Sequence, residues 1–187
     1  MFKKFETKEL VFLSLIGALE FVVAFAVGLG IVAATGIPAS GGLATNLFVV
    51  FILATGLLVV RKFGAALHIV LVHMLLALPT ASIGPPGIYK VAIGLIFAFV
   101  VDTILCLGRY KGVFYYIALT MGFIVFLPLF LYSLILLGLP GAENLSNLLI
   151  PAIGIYIFEA LLGTYLARLF YNKKLRDLNL IKQIQNK

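Results

Sequence analysis

The chain has 187 residues, of which 63% are hydrophobic and only 11% charged, and its formal net charge is +7. Soluble domains carry about 25% charged residues, and a soluble core of this size cannot bury so much Leu, Ile, Val and Phe. Together with a mean hydropathy of +1.19, the composition excludes an ordinary soluble domain and points to an integral membrane protein.

A helix needs about 20 mostly apolar residues to cross a hydrocarbon core of about 30 Å. The first such run covers residues 10–34 and follows Lys3, Lys4 and Lys8. "VAATG" at 32–36 looks like a cleavage site. The run nevertheless exceeds the roughly 7–15 apolar residues of a secretory signal, so it is expected to remain as a span. Ser14 and Ala18 are four apart within it, and Gly17, Ala24, Gly28 and Gly30 add further small residues. Such spacing lets helices approach closely, inside a bundle or against a partner membrane protein.

The second and third runs, 44–60 and 63–79, have only "RKFG" at 61–64 between them, which implies a tight helical hairpin. "PTASIGPPGIYK" at 79–90 then interrupts the apolar sequence with prolines and glycines and closes on Tyr89 and Lys90. The fourth run, 88–107, carries Gly94 and Ala98. The fifth covers 113–138. The sixth, 147–170, carries Gly163 and Ala167. From Lys173 the chain turns basic, and a short amphipathic helix on the membrane surface is expected. The organisation is thus a membrane domain over 1–172 and a cytoplasmic tail over 173–187.

Six spans place nearly every basic residue on one side. Lys3, Lys4 and Lys8 precede the first span, Arg61 and Lys62 follow the second, Arg109 and Lys111 follow the fourth, and Arg168, Lys173, Lys174, Arg176, Lys182 and Lys187 close the chain. The opposite connections hold one lysine, Lys90. This is the positive-inside pattern. It predicts an all-α, six-helix polytopic protein of the cytoplasmic membrane, with both termini inside. The sequence pI of 9.6 comes without a basic patch carrying nucleic-acid readout chemistry. The outer connections at 35–46, 79–90 and 138–147 are rich in Gly, Pro and small polar residues. They suit lids folded over a cavity, or plain solvated turns.

Polar groups inside the spans are costly and usually face the bundle interior. They are Glu20, His68, His73, Asp102 and Glu159, with Lys90 at an outer edge. The excess of acids over the one lysine fits a cationic or strongly hydrogen-bonding ligand; interhelical hydrogen bonding is the alternative. Arg109, two turns beyond Asp102, is a candidate partner for that acid. The sequence has no HExxH, GxSxG or P-loop, and its single Cys106 excludes a multi-cysteine metal site. His68 and His73 are five apart and point to different helix faces. No catalytic residue, metal or cofactor is therefore expected, and ATP-driven work falls to a partner.

The layout resembles the substrate-binding S component of an energy-coupling-factor (ECF) vitamin transporter. The opening "TKELVFLSLIGAL" at 7–19 is similar to the start of many such chains. "VVRKFGAALHIVLVHMLLALPTASIGPPG" at 59–87, with "GRYKG" at 108–112, is similar to S components of the YkoE type, assigned to thiamine or its hydroxymethylpyrimidine precursor. The resemblance implies a non-enzymatic subunit of an ABC importer that captures a vitamin at the outer face. It then docks, largely through helix one, on a scaffold transmembrane subunit driven by two ATPase subunits. No residue-level ligand motif carries over from the family; the candidates for substrate contact are Glu20, Asn46, His73, Tyr89, Lys90, Glu143, Asn144, Tyr156 and Glu159, and in the lid reading of 79–90 Lys90 also latches to Glu143. Ser14 and Ala18 would serve partner docking. The competing readings are a small intramembrane enzyme, such as a lipid-modifying transferase using Glu20, Glu159 and His73, and a structural subunit of a membrane complex.

Overall fold

In the computed structural model, the described residues are 4–35, 40–80, 86–138 and 149–185, and they are helical without a strand. Helix α1 runs Thr7–Thr35, α2 Ser40–Val59, α3 Ala65–Ala77, α4 Tyr89–Leu107, α5 Gly112–Leu136 and α6 Leu149–Phe170. A π-helical turn, Tyr171–Leu175, extends α6, and α7 covers Asn179–Gln185. Four segments are long and apolar enough to cross a membrane: Thr7–Ile31, Tyr89–Leu107, Gly112–Leu136 and Leu149–Leu175. The apolar stretches Thr45–Val59 and Ala65–Ala77 are shorter.

The helices close a ring. Helix α1 packs on α2, α2 on α6, α6 on α5, α5 on α4, α4 on α3, and α3 back on α1. Leu13, Val50, Leu53, Leu57, Ile69, Val101 and Leu119 fill the interior and are fully buried. Small residues set the close approaches. A Cβ on Gly17 would lie 2.5 Å from the Ile69 carbonyl oxygen across the α1–α3 contact. One on Gly163 would lie 3.0 Å from the Leu47 oxygen across α2–α6.

Helix α3 has 13 residues, about 20 Å of helix, well short of a bilayer's hydrocarbon core. Its terminal N–H and C=O groups need partners from the protein wherever water is absent. Helix α4 runs antiparallel beside it and supplies both. Near its far end, Asp102 accepts from the Ala66 N–H at 3.1 Å (Oδ1) and the Leu67 N–H at 3.0 Å (Oδ2). At its start, the buried Lys90 ammonium donates to the carbonyls of Ala77 at 3.1 Å and Thr80 at 2.6 Å. An acidic side chain thus sits at the positive end of the α3 dipole and a basic one at the negative end. The two side chains are about 18 Å apart along α4, matching the length of α3. Gly64, with φ 95°, takes the left-handed turn into α3 and offers no side-chain cap of its own, so the cap comes from Asp102.

The basic segments converge at one end of the ring. Lys62 pairs with the buried Glu9 at 2.7 Å and donates to the Lys4 carbonyl at 2.9 Å. The Arg61 guanidinium lies over the Tyr171 ring, and that of Arg168 over Tyr116. Tyr110 sits in the α4–α5 turn, where burial and the nearby Asp102 carboxylate push its phenol up, so it stays neutral. The tail folds back onto this end: Ile181 and Ile184 are buried in the core cluster, and Lys8 Nζ donates to the Gln183 carbonyl at 2.6 Å. The amphipathic face expected to lie on the membrane surface is therefore covered in part by the bundle itself.

Removing the α3 caps is expected to cost stability locally. Asp102→Leu strands backbone N–H groups and should lower stability by about 1–3 kcal/mol, read as a fall in thermal midpoint of the purified protein; Asp102→Asn, which keeps one acceptor, should fall by less. Equal stability of Asp102→Leu and the unaltered chain would contradict the cap.

Candidate functional site

Two polar nodes lie within the apolar ring. The first joins α1 and α3. The close approach at Gly17 brings the two helices together, and Ser14 Oγ meets His68 Nε2 at 2.8 Å on the side nearer the basic end. Further along, Glu20 Oε1 lies 3.1 Å from His73 Nδ1, both side chains 3% exposed. The Phe21 ring stands edge-on to the imidazole, with centroids 6.0 Å apart. The distance is that of an ion pair, but Nδ1 is not aligned for a hydrogen bond, and Glu20 Oε2 and His73 Nε2 have no partner among the described residues. A buried polar atom left without a partner costs about 1–3 kcal/mol, and native proteins hold few of them.

The second node joins α2 and α6. Asn46, buried, donates from Nδ2 to Glu159 Oε2 at 3.0 Å. Tyr156 lies one turn before Glu159, its ring centroid 5.4 Å from that of Phe123. Phe123 in turn packs against Phe97 and Phe126, which gives this node an aromatic wall from α4 and α5. Unlike Glu20, the Glu159 carboxylate has a side-chain partner that donates to it.

The structure thus pairs Glu20 with His73, and Asn46 with Glu159 beside Tyr156. Lys90 donates to the Ala77 carbonyl at the end of α3 and to the Thr80 carbonyl beyond it, and Tyr89, half-buried, packs on the backbone at Gly87, where an added Cβ would meet the ring at 3.0 Å. Glu143 and Asn144 lie outside the described residues, and so does the latch from Lys90 to Glu143. Ser14 faces His68, while Ala18 is half-buried and spaced three and four residues from the exposed Leu15 and Val22. Asp102 turns to α3 and not to Arg109. Phe21 and Phe123 stand out only in the structure, because an aromatic residue in an apolar run carries no signal until its neighbour across the bundle is known. Among the described residues, no three His, Cys, Asp or Glu side chains gather as metal ligands. No family model, curated protein or solved structure matches the chain.

The two nodes should respond oppositely to apolar replacement. Asn46→Leu leaves Glu159 without its donor and should cost about 1–3 kcal/mol, with much of the loss recovered in the Asn46→Leu/Glu159→Leu double variant. The Glu20→Leu/His73→Leu double variant removes atoms that had no partner and should be neutral or stabilising. A double-mutant cycle of thermal midpoints checks both. A large loss in the Glu20/His73 double variant would mean that this node is a structural one.

Proposed function

We propose that the chain is the membrane-embedded substrate-binding subunit of an ECF-type importer, with all six helices α1–α6 crossing the membrane and both termini cytoplasmic. The observation that carries this reading is the Glu20–His73 node, whose unpartnered oxygen and nitrogen are buried in an apolar bundle. Atoms held dry and unsatisfied are groups that a bound ligand can satisfy. The place of α2 and α3 in the closed ring, equal to that of the longer helices, supports counting them as spans. The gathering of Lys62, Arg61 and Arg168 at one end supports the orientation.

The favoured substrate is thiamine or hydroxymethylpyrimidine. The aminopyrimidine ring of either can donate to a carboxylate and accept from an imidazole, and the aromatic residues Phe21, Phe123 and Tyr156 offer stacking faces near the two nodes. Docking on the scaffold subunit falls to the exposed face of α1, where Val11, Leu15, Leu19 and Val22 surround Ala18. A second reading, an intramembrane transferase, rests on the same carboxylate–imidazole contact, a pair suited to general acid–base work.

Calorimetry with the purified chain is expected to detect binding of one of these two ligands, weakened about tenfold or more by Glu20→Gln or His73→Phe. Recovery of a chemically altered ligand or lipid would favour the transferase, and no binding of any vitamin by folded protein would contradict the importer subunit. Uptake should further require a scaffold and ATPases. Ala18→Leu should impair uptake and spare binding, whereas Ser14→Leu, which displaces the His68 contact, should impair both.

A further inference from the structure

On the outer face of the ring, between α2 and α6, lies a groove of about 490 Å³. Its walls include Phe48, Phe51, Leu166 and Phe170, and its far end is flanked by Lys173 and Lys174. The Phe51 and Phe170 rings touch across it, with centroids 5.7 Å apart. Phe48, Leu166 and Phe170 are each about two-fifths or more exposed, so the groove faces away from the ring interior. It is separate from both polar nodes.

The chemistry at the two ends of the groove differs. Along α2 and α6 it is apolar. At the basic end it meets two exposed ammonium groups, neither of which has an acidic partner among the described residues. The lysines stand on the π-helical turn Tyr171–Leu175, closed by the Arg176 N–H donating to the Tyr171 carbonyl at 2.9 Å. Such widened turns recur at functional sites, because they redirect side chains that a continuing α-helix would carry round the axis. Arg168, one turn earlier, is held over Tyr116 and does not share in this end.

We propose that this groove is a binding site for one anionic glycerophospholipid, with an acyl chain along Phe48, Phe51, Leu166 and Phe170 and the phosphodiester between Lys173 and Lys174. Three features agree. An outward apolar groove in a membrane-embedded helix pair meets acyl chains before any other ligand. The uncompensated pair of cations sits where the chain ends and a headgroup begins. Basic pockets between helices at a membrane's cytoplasmic edge suit anionic headgroups. A zwitterionic headgroup would satisfy the lysines with its phosphate but bring its own cation to the same place.

The test is native mass spectrometry of the full chain released from micelles that contain dioleoyl phosphatidylglycerol and dioleoyl phosphatidylcholine in equal amounts. One phosphatidylglycerol should be retained per chain, with about a tenfold preference over phosphatidylcholine. Lys173→Gln/Lys174→Gln should abolish the preference. Leu166→Trp, which fills the groove, should lower retention of both lipids. Retention of neither lipid by the unaltered chain would overturn the site and leave the groove to a protein partner. A preference that survives loss of the lysines, or retention indifferent to Leu166→Trp, would also overturn it, the second by reducing the effect to general attraction of a basic surface.

Discussion

A helix end away from water has nothing to bond with unless the protein supplies it, and α3, at 13 residues, is too short to span a hydrocarbon core. The answer lies in α4. Asp102 takes amides of the first turn of α3, and Lys90 takes the carbonyl of its last residue, Ala77, and that of Thr80 just beyond it. Each side chain faces the complementary end of the α3 dipole and bonds the backbone there. The spacing of the two residues on α4 fixes α3 along its axis. That register carries His68 to Ser14 and His73 to Glu20. The geometry of the first node therefore follows from two side chains that are not part of it.

The contrast between the nodes has a physical meaning. Asn46 and Glu159 form a donor–acceptor pair and join α2 to α6 as any satisfied interhelical hydrogen bond would. Glu20 and His73 are brought within 3.1 Å without the alignment or the additional partners that would satisfy them. The pair is almost fully buried, so water does not supply those partners. Stability is lost at such a place, and native proteins commonly accept that loss where a ligand supplies what is missing.

Much of the architecture was legible. Apolar runs marked the helices, "RKFG" marked the α2–α3 turn, and the spacing of basic residues anticipated their convergence at one end. Glu20, His73, Asp102 and Glu159 stood out because charge in an apolar run always does. Their partners did not. Asn46 and Glu159 are 113 residues apart, and Asp102 bonds the backbone some 35 residues back. Backbone amides and carbonyls leave no mark in a sequence, so the ties of Asp102 and Lys90 to α3 could not be read from it. Lys90 reads equally as a ligand contact, a latch or an interfacial anchor until α3 is placed beside it. The groove lysines were read as part of a basic tail, because the π-helical turn that redirects them has no sequence signature.

The capping of α3 by α4 positions the Glu20–His73 node. Dipolar recoupling by solid-state NMR, between a ¹³C-labelled Glu20 carboxyl and ¹⁵N-labelled His73 in bilayers, tests it directly. The unaltered chain should show a close contact consistent with the 3.1 Å separation of Oε1 and Nδ1, and Asp102→Leu, with the protein still folded, should weaken or abolish it. A contact that persists unchanged without the Asp102 carboxylate would contradict the account.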